Sequence, residues 1–189
     1  MNDFKELEYK YDASEIPLTS FLNMASRLHP IKRQDVSSWD YYYTLASAEK
    51  PEEFIRYRNS QKPELTIKRK TKQSNNWERV EIDLPLDPAR TDENTVKSFV
   101  NLLNYKENFR IYKSCFIFWF NDVNMVYYIV YDDNMKEKGR FIEIEINKEK
   151  IKQLADPFAT LKLYEANLLE VGIKPANRLK KSLYELFVK

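Results

Sequence analysis

Hydrophobic and charged residues alternate at a spacing of two through Glu6-Leu7-Glu8-Tyr9-Lys10, and again through Phe141-Ile142-Glu143-Ile144-Glu145-Ile146. Alternate residues of a β-strand share a face, so Glu6, Glu8 and Lys10 point one way while Leu7 and Tyr9 point the other. The same period, with β-branched and aromatic enrichment, predicts strands over Phe4–Tyr11, Trp39–Ala46, Phe54–Arg58, Leu65–Thr71, Trp77–Leu84, Phe109–Phe120, Met125–Tyr131 and Arg140–Ile146. Turns fall at Lys62-Pro63, Ser74-Asn75-Asn76 and Asn121-Asp122-Val123-Asn124, which makes the second to fifth strands a meander. Helical spacing replaces the period of two elsewhere. Pro17 opens a helix with Leu18, Phe21, Leu22, Ala25 and Leu28 on one side, ended by His29-Pro30; a second runs from about Asp92 to Leu103 with Val96, Phe99, Val100 and Leu103 as its buried stripe. The tail reads as helical over Lys148–Leu154, Pro157–Val171, stopped by Gly172, and Pro175–Val188. Eight strands with a few helices predict an α+β fold, an eight-stranded, largely antiparallel closed β-barrel with helices packed outside.

The charges decide what fills that barrel. Besides Glu6/Glu8/Lys10 and Glu143/Glu145, charged residues at two-residue spacing occur as Arg56/Arg58, Lys68/Lys70 and Arg79/Glu81/Asp83, with Lys113 alone on the sixth strand. A single such strand is explained by a solvated outer face. Five at once are not, because the apolar residues on the opposite faces need a cover, and the terminal helices are available to supply it. The barrel is then a tunnel with a charged interior. Unpaired like charges inside are expensive, so the pattern makes sense where a polyanion meets the cations and a divalent metal meets the carboxylates.

Composition narrows the chemistry further. A chain of 189 residues with 43% hydrophobic content can bury a sizeable core, and its length predicts one soluble domain spanning 1–189. Thirty-one basic and 29 acidic residues leave a net charge of +2, so no overall field points to nucleic acid or anionic membrane. The first residues lack a basic start and an apolar run, and no stretch approaches membrane-spanning length, so no membrane partner is expected. With the single Cys115 there is no internal disulfide, and a reducing cytoplasm is the expected location. Only Gly139 and Gly172 are present, which excludes a glycine-rich phosphate loop; a phosphate ligand needs side-chain cations instead. One histidine and one cysteine exclude a His/Cys zinc site, and a Ser-His-Asp triad would have to use His29, whose place before Pro30 suits a solvated helix end.

Glu6-Leu7-Glu8-Tyr9-Lys10 matches the ExExK signature of the CYTH superfamily, the triphosphate tunnel metalloenzymes, which includes class IV adenylyl cyclases, thiamine triphosphatases and inorganic tripolyphosphatases. Phe54-Ile55-Arg56-Tyr57-Arg58 resembles that family's strand with paired arginines, Leu65-Thr66-Ile67-Lys68 its LTxK strand, and Arg79-Val80-Glu81-Ile82-Asp83 its RxExE strand. Gly139-Arg140-Phe141-Ile142-Glu143-Ile144-Glu145 is similar to its GxFxExE, and Ser182-Leu183-Tyr184-Glu185-Leu186 to its carboxy-terminal Ser-Tyr helix. The six motifs occur in family order and cover nearly the whole chain. Two positions depart from the pattern: Cys115 stands where an arginine often follows the sixth-strand lysine, and Tyr43 where an aspartate follows the paired aromatics of the second strand.

The resemblance implies Mg²⁺ or Mn²⁺ held by Glu6, Glu8, Glu143 and Glu145, with Glu81 and Asp83 as further metal or cation partners. It implies that Lys10, Arg56, Arg58, Lys68, Lys70, Arg79 and Lys113 bind the triphosphate substrate, and that Lys10 and Glu8 act at the reacting group. The expected function is metal-dependent hydrolysis of tripolyphosphate, a nucleoside triphosphate or a 5′-triphosphate RNA end. A nucleotidyl cyclase releasing pyrophosphate is the alternative, and a non-catalytic nucleotide- or polyphosphate-binding module the second. Tyr41, Tyr42 and Trp77 are the candidate aromatics for a base pocket. Nothing in the sequence fixes the oligomeric state.

Overall fold

A computed structural model of the chain describes residues 5–47, 53–70 and 78–188, and of Lys5, Lys70 and Glu78 the backbone alone. Its order is β1 (Lys5–Asp12), α1 (Leu18–Arg27), β2 (Lys32–Leu45), β3 (Glu53–Asn59), β4 (Glu64–Lys70), β5 (Glu78–Pro85), α2 (Glu93–Leu102), β6 (Tyr105–Trp119), β7 (Val123–Tyr131), β8 (Glu137–Ile146), α3 (Pro157–Leu168), β9 (Arg178–Leu179) and α4 (Leu183–Phe187). Strands run β5-β4-β3-β2-β6-β7-β8-β1, each antiparallel to its neighbours, and β1 pairs β5 to close the ring. The expected eight-stranded antiparallel barrel is therefore present. The short β9 adds to β1 at Lys10 and Tyr11.

Both faces of the barrel wall are buried over much of its circumference. Outside β1, β7 and β8, Leu7, Tyr9, Tyr11, Met125, Tyr127, Ile142 and Ile144 pack against Phe21, Met24 and Ala25 of α1 and Leu161 and Leu168 of α3. Each such side chain contributes roughly 1.5–3 kcal/mol by leaving water. A second outer cluster joins Tyr41, Tyr43, Ile55 and Tyr57 of β2 and β3 to Val96 and Val100 of α2. Local signals set the helix ends: Asp92 accepts from Thr95 N at 2.7 Å and Asp156 from Ala159 N at 2.9 Å, each an N-cap. His29 follows α1 with φ 54° and is exposed, and Gly172 takes φ 89° where the helical segment after α3 stops.

Several expectations need correction. On α2 only Val96 and Val100 are buried, whereas Phe99 and Leu103 are about half exposed, because α2 packs over β6 and the neighbouring Tyr41, Tyr43, Ile55 and Tyr57 with a two-residue stripe. Lys148–Leu154 forms one 3-10 turn, Lys148–Lys150, rather than a helix. Pro175–Val188 is not continuous either: it divides into a 3-10 turn at Pro175–Asn177, β9 and α4, since the edge of β1 left free beyond its β5 pairing takes Arg178 and Leu179 as a strand. β2 begins at Lys32, seven residues before the predicted Trp39, in a segment without apolar alternation that is held by its ladder to β6. Phe4, Thr71, the Ser74-Asn75-Asn76 turn and Trp77 lie outside the described residues. Among the described residues no helix is long and apolar enough to cross a membrane.

Candidate functional site

The strand period delivers the charges inward as expected. A cavity of about 1020 Å³ inside the barrel is lined by Glu6, Glu8 and Lys10 of β1, Arg56 and Arg58 of β3, Lys68 of β4, Arg79, Glu81 and Asp83 of β5, Lys113 of β6, and Glu143 and Glu145 of β8. All the sequence-predicted site residues with described side chains thus share one space. Lys70 belongs to β4 by its backbone, and its side chain is outside the described part.

One wall of the cavity, built by β2, β3 and β6, is cationic and organised by a residue that the sequence reading missed. Asp40 of β2 is 0% exposed. It accepts from Arg58 Nε at 3.1 Å and lies 2.5 Å from Lys113 Nζ. Burial would raise the Asp40 carboxyl, but Arg58, Lys113 and Arg56 outweigh it and hold the group well below the usual carboxylate range. Burial also pushes the Lys113 ammonium down, partly countered by Asp40. Arg56 donates to Glu64 at 3.2 Å and Thr66 at 3.0 Å through Nη2, while its buried Nε has no acceptor. Tyr43, the position read as a departure, faces outward beneath α2, so the inward aspartate of this strand is Asp40. Cys115 lines the same wall, with burial pushing its thiol up, as expected of a filler rather than a nucleophile.

The opposite wall, built by β1, β5 and β8, is acidic and more crowded. Glu8 and Glu145 are directly opposed in the β1–β8 ladder. Burial, then Glu81 and Glu8, pushes Glu145 up to about 8. Burial likewise raises Glu6, with Lys68 opposing, and Glu6 Oε2 is buried without a hydrogen-bond partner. Three lysines enter this wall. Lys10 lies 3.0 Å from both Glu8 and Glu143, and Glu143 also accepts from Tyr128 at 2.8 Å. Lys68 donates to Glu6 at 2.6 Å and pairs with Glu81. Lys148, from the 3-10 turn after β8, reaches Glu81 at 2.7 Å and Asp83. Burial would raise Glu8, but Lys10, Lys68 and Arg79 bring it down to about 2.

One end of the interior is filled. Leu183 and Tyr184 of α4 pack with Tyr42, Phe54, Val130 and Phe141, and Tyr184 stacks on Phe54 at 4.9 Å and on Phe109 at 5.7 Å. A capping box starts this five-residue helix: Ser182 N donates to Glu185 at 2.8 Å and Glu185 N to Ser182 Oγ at 3.2 Å. Of the candidate base-pocket aromatics, Tyr42 belongs to this plug, and Tyr41 faces outward, stacked on Tyr57 and bonded to Glu93.

The carboxylates fit a hard divalent cation. They are oxygen donors, two of them are opposed across a ladder, and Glu6 keeps an orphaned buried oxygen. Among the described residues no three acidic, His or Cys side chains are already gathered as a metal cage, since Lys10 and Lys68 engage Glu8 and Glu6.

No family model matches the chain, and neither does any curated protein. Solved structures do match. A conserved hypothetical protein from Pyrococcus furiosus superposes with a TM-score of 0.71 at 21% identity, covering 96% of this chain and 99% of the other. An adenylate cyclase candidate from Vibrio parahaemolyticus gives 0.65 at 17% identity, covering 98% of each chain. Another, from Bacillus halodurans, gives 0.62 at 13% identity, covering 97% of this chain and 98% of the other. Identities this low establish architecture alone. Together with the closed barrel and its inward charges, they show that the chain shares the closed antiparallel barrel architecture of these structures.

Proposed function

We propose that this chain is a metal-dependent triphosphatase. The observation that carries the reading is the pair of opposed charged walls in one buried cavity, with the Arg56 Nε donor still unsatisfied on the cationic side. Arg56, Arg58, Lys68, Arg79 and Lys113 hold the phosphate oxygens, arginine as a fork and lysine as a point charge, with Lys70 joining them from β4. Glu6, Glu8 and Glu145, with Glu143 beside them, would hold Mg²⁺ or Mn²⁺, which supplies charge neutralisation at the phosphate oxygens. Burial opposes the charge on Lys10, but Glu8 and Glu143 outweigh it and raise the ammonium, so Lys10 serves as a donor that orients the reacting group rather than as a base. Water attacks the terminal phosphorus, and the bridging oxygen leaves with the diphosphate; positioning and charge stabilisation carry the step.

Cyclisation is the second reading, favoured by the likeness to two adenylate cyclase candidates. It requires a base pocket that places a ribose hydroxyl at roughly 3–3.5 Å from the α-phosphorus. A hydrolase needs only the triphosphate and a water. Incubation with tripolyphosphate, ATP, GTP or a 5′-triphosphate oligonucleotide, each with Mg²⁺ or Mn²⁺, followed by chromatography, separates the readings. Orthophosphate with a diphosphate product is the expected result. Pyrophosphate with a cyclic nucleotide overturns it in favour of the cyclase, and no product from any substrate leaves a binding module.

A further inference from the structure

Lys148 differs from the other cations of the cavity in origin and in freedom. Lys10 and Lys68 project from barrel strands and their side chains are 5% and 10% exposed, whereas Lys148 projects from the turn after β8 and is 42% exposed. Its ammonium sits between Glu81 and Asp83, two carboxylates that share a face of β5, contacting one oxygen of each. That is how a hard cation would bridge them. The remaining carboxylates are supplied differently: the buried Lys68 reaches Glu6 through one oxygen only, the other having no hydrogen-bond partner, and the buried Lys10 reaches Glu8, which stands opposite Glu145. At Glu81 and Asp83 a part-exposed lysine from outside the barrel strands supplies the cation, whereas the buried strand lysines Lys68 and Lys10 reach Glu6, Glu8 and Glu143 and leave Glu6 with an oxygen to spare.

We propose that Lys148 is a tethered cation occupying the place of a divalent ion at Glu81 and Asp83, so that the acidic wall accepts one ion rather than two. This rests on the reading that the wall takes a divalent cation at all. A lysine costs no ion from solution, and its four-carbon stem lets it swing away without disturbing the ladder. The site at Glu6, Glu8 and Glu145 then carries the whole metal requirement, and removing the Lys148 charge opens a second site.

The test is Mn²⁺ titration of the intact protein without any triphosphate, read as the fall of the free-ion electron paramagnetic resonance signal. Wild type should bind one ion, Lys148→Met two, Lys148→Arg one, and Lys148→Met/Asp83→Asn one again. Circular dichroism confirms folding, and Lys148→Gln replaces the methionine variant where that one does not fold. Two ions on wild type overturn the proposal, because Lys148 is then displaced rather than occupying. One ion on both wild type and Lys148→Met also overturns it. If wild type binds none, the metal reading of the function fails separately; the tethered-cation proposal then stands only if Lys148→Met gains an ion, and falls if it does not.

Discussion

On the cationic wall a single aspartate satisfies two cations at once: Asp40, without solvent exposure, holds Arg58 and Lys113 from two different strands. On the acidic wall three lysines pair with five carboxylates, and one carboxylate oxygen of Glu6 is left without a hydrogen-bond partner. The first wall is assembled before any ligand arrives. The second holds repulsion in reserve, which a bound cation would relieve. Buried charge is tolerated in both places, through a counter-ion in one and through deferred neutralisation in the other.

The largest effect should come from removing the organiser. Asp40→Asn leaves Arg58 and Lys113 buried without a counter-charge and should destabilise by roughly 3–5 kcal/mol, measured by urea unfolding. The sign with pH follows from the depressed Asp40 carboxyl. Its contribution is present above the ordinary aspartate pKa and is lost as pH falls through the folded value. The gap between wild type and Asp40→Asn should therefore be constant near neutrality and shrink in acid; a gap that widens in acid would reverse the assignment.

Arg56→Ala and Arg58→Ala sharpen the contrast within the cationic wall. Each should weaken tripolyphosphate binding by about 2–5 kcal/mol, read by calorimetry. Arg58→Ala should lower the melting temperature more than Arg56→Ala, since it takes a directly bonded partner from the fully buried Asp40, whereas Arg56 donates to Glu64 and Thr66. Unchanged affinity in both would mean that the cations do not face the ligand.

The smallest predicted effect has the opposite sign. Glu145→Gln removes one of two opposed carboxylates and should stabilise the metal-free protein by roughly 1 kcal/mol, a rise on the order of 2–4 °C. The same variant should lose turnover with Mg²⁺ or Mn²⁺. A lower melting temperature in chelator would show that the acidic wall is not under repulsion.

The inward charges were legible because a strand's period of two assigns each side chain to a face without knowledge of the fold, and Glu6-Leu7-Glu8-Tyr9-Lys10 needs no partner to be read. Asp40 was not legible. It sits singly among Trp39, Tyr41, Tyr42 and Tyr43, and the cations that give it meaning lie on β3 and β6, brought to it by ladder registers that no local pattern encodes. Lys148 escaped for a related reason: it follows the last strand, where the period has ended, and a lysine in Lys148-Glu149-Lys150 looks like a solvated helix face. The broken tail was hidden because Arg178 and Leu179 become a strand only by docking on β1.

Tyr184 and Leu183 close one end of the barrel, and so turn a tube into a well. Traffic through a well is single file: whatever descends furthest must wait for whatever lies above it. Under the proposed hydrolysis a cleaved fragment resting near the plug would leave only after the fragment at the mouth, and a long unreacted chain standing in the opening would hold both in place. For the hydrolysis proposed above, departure rather than bond breaking would then set the pace of each cycle, and shortening the molecule that enters should quicken it.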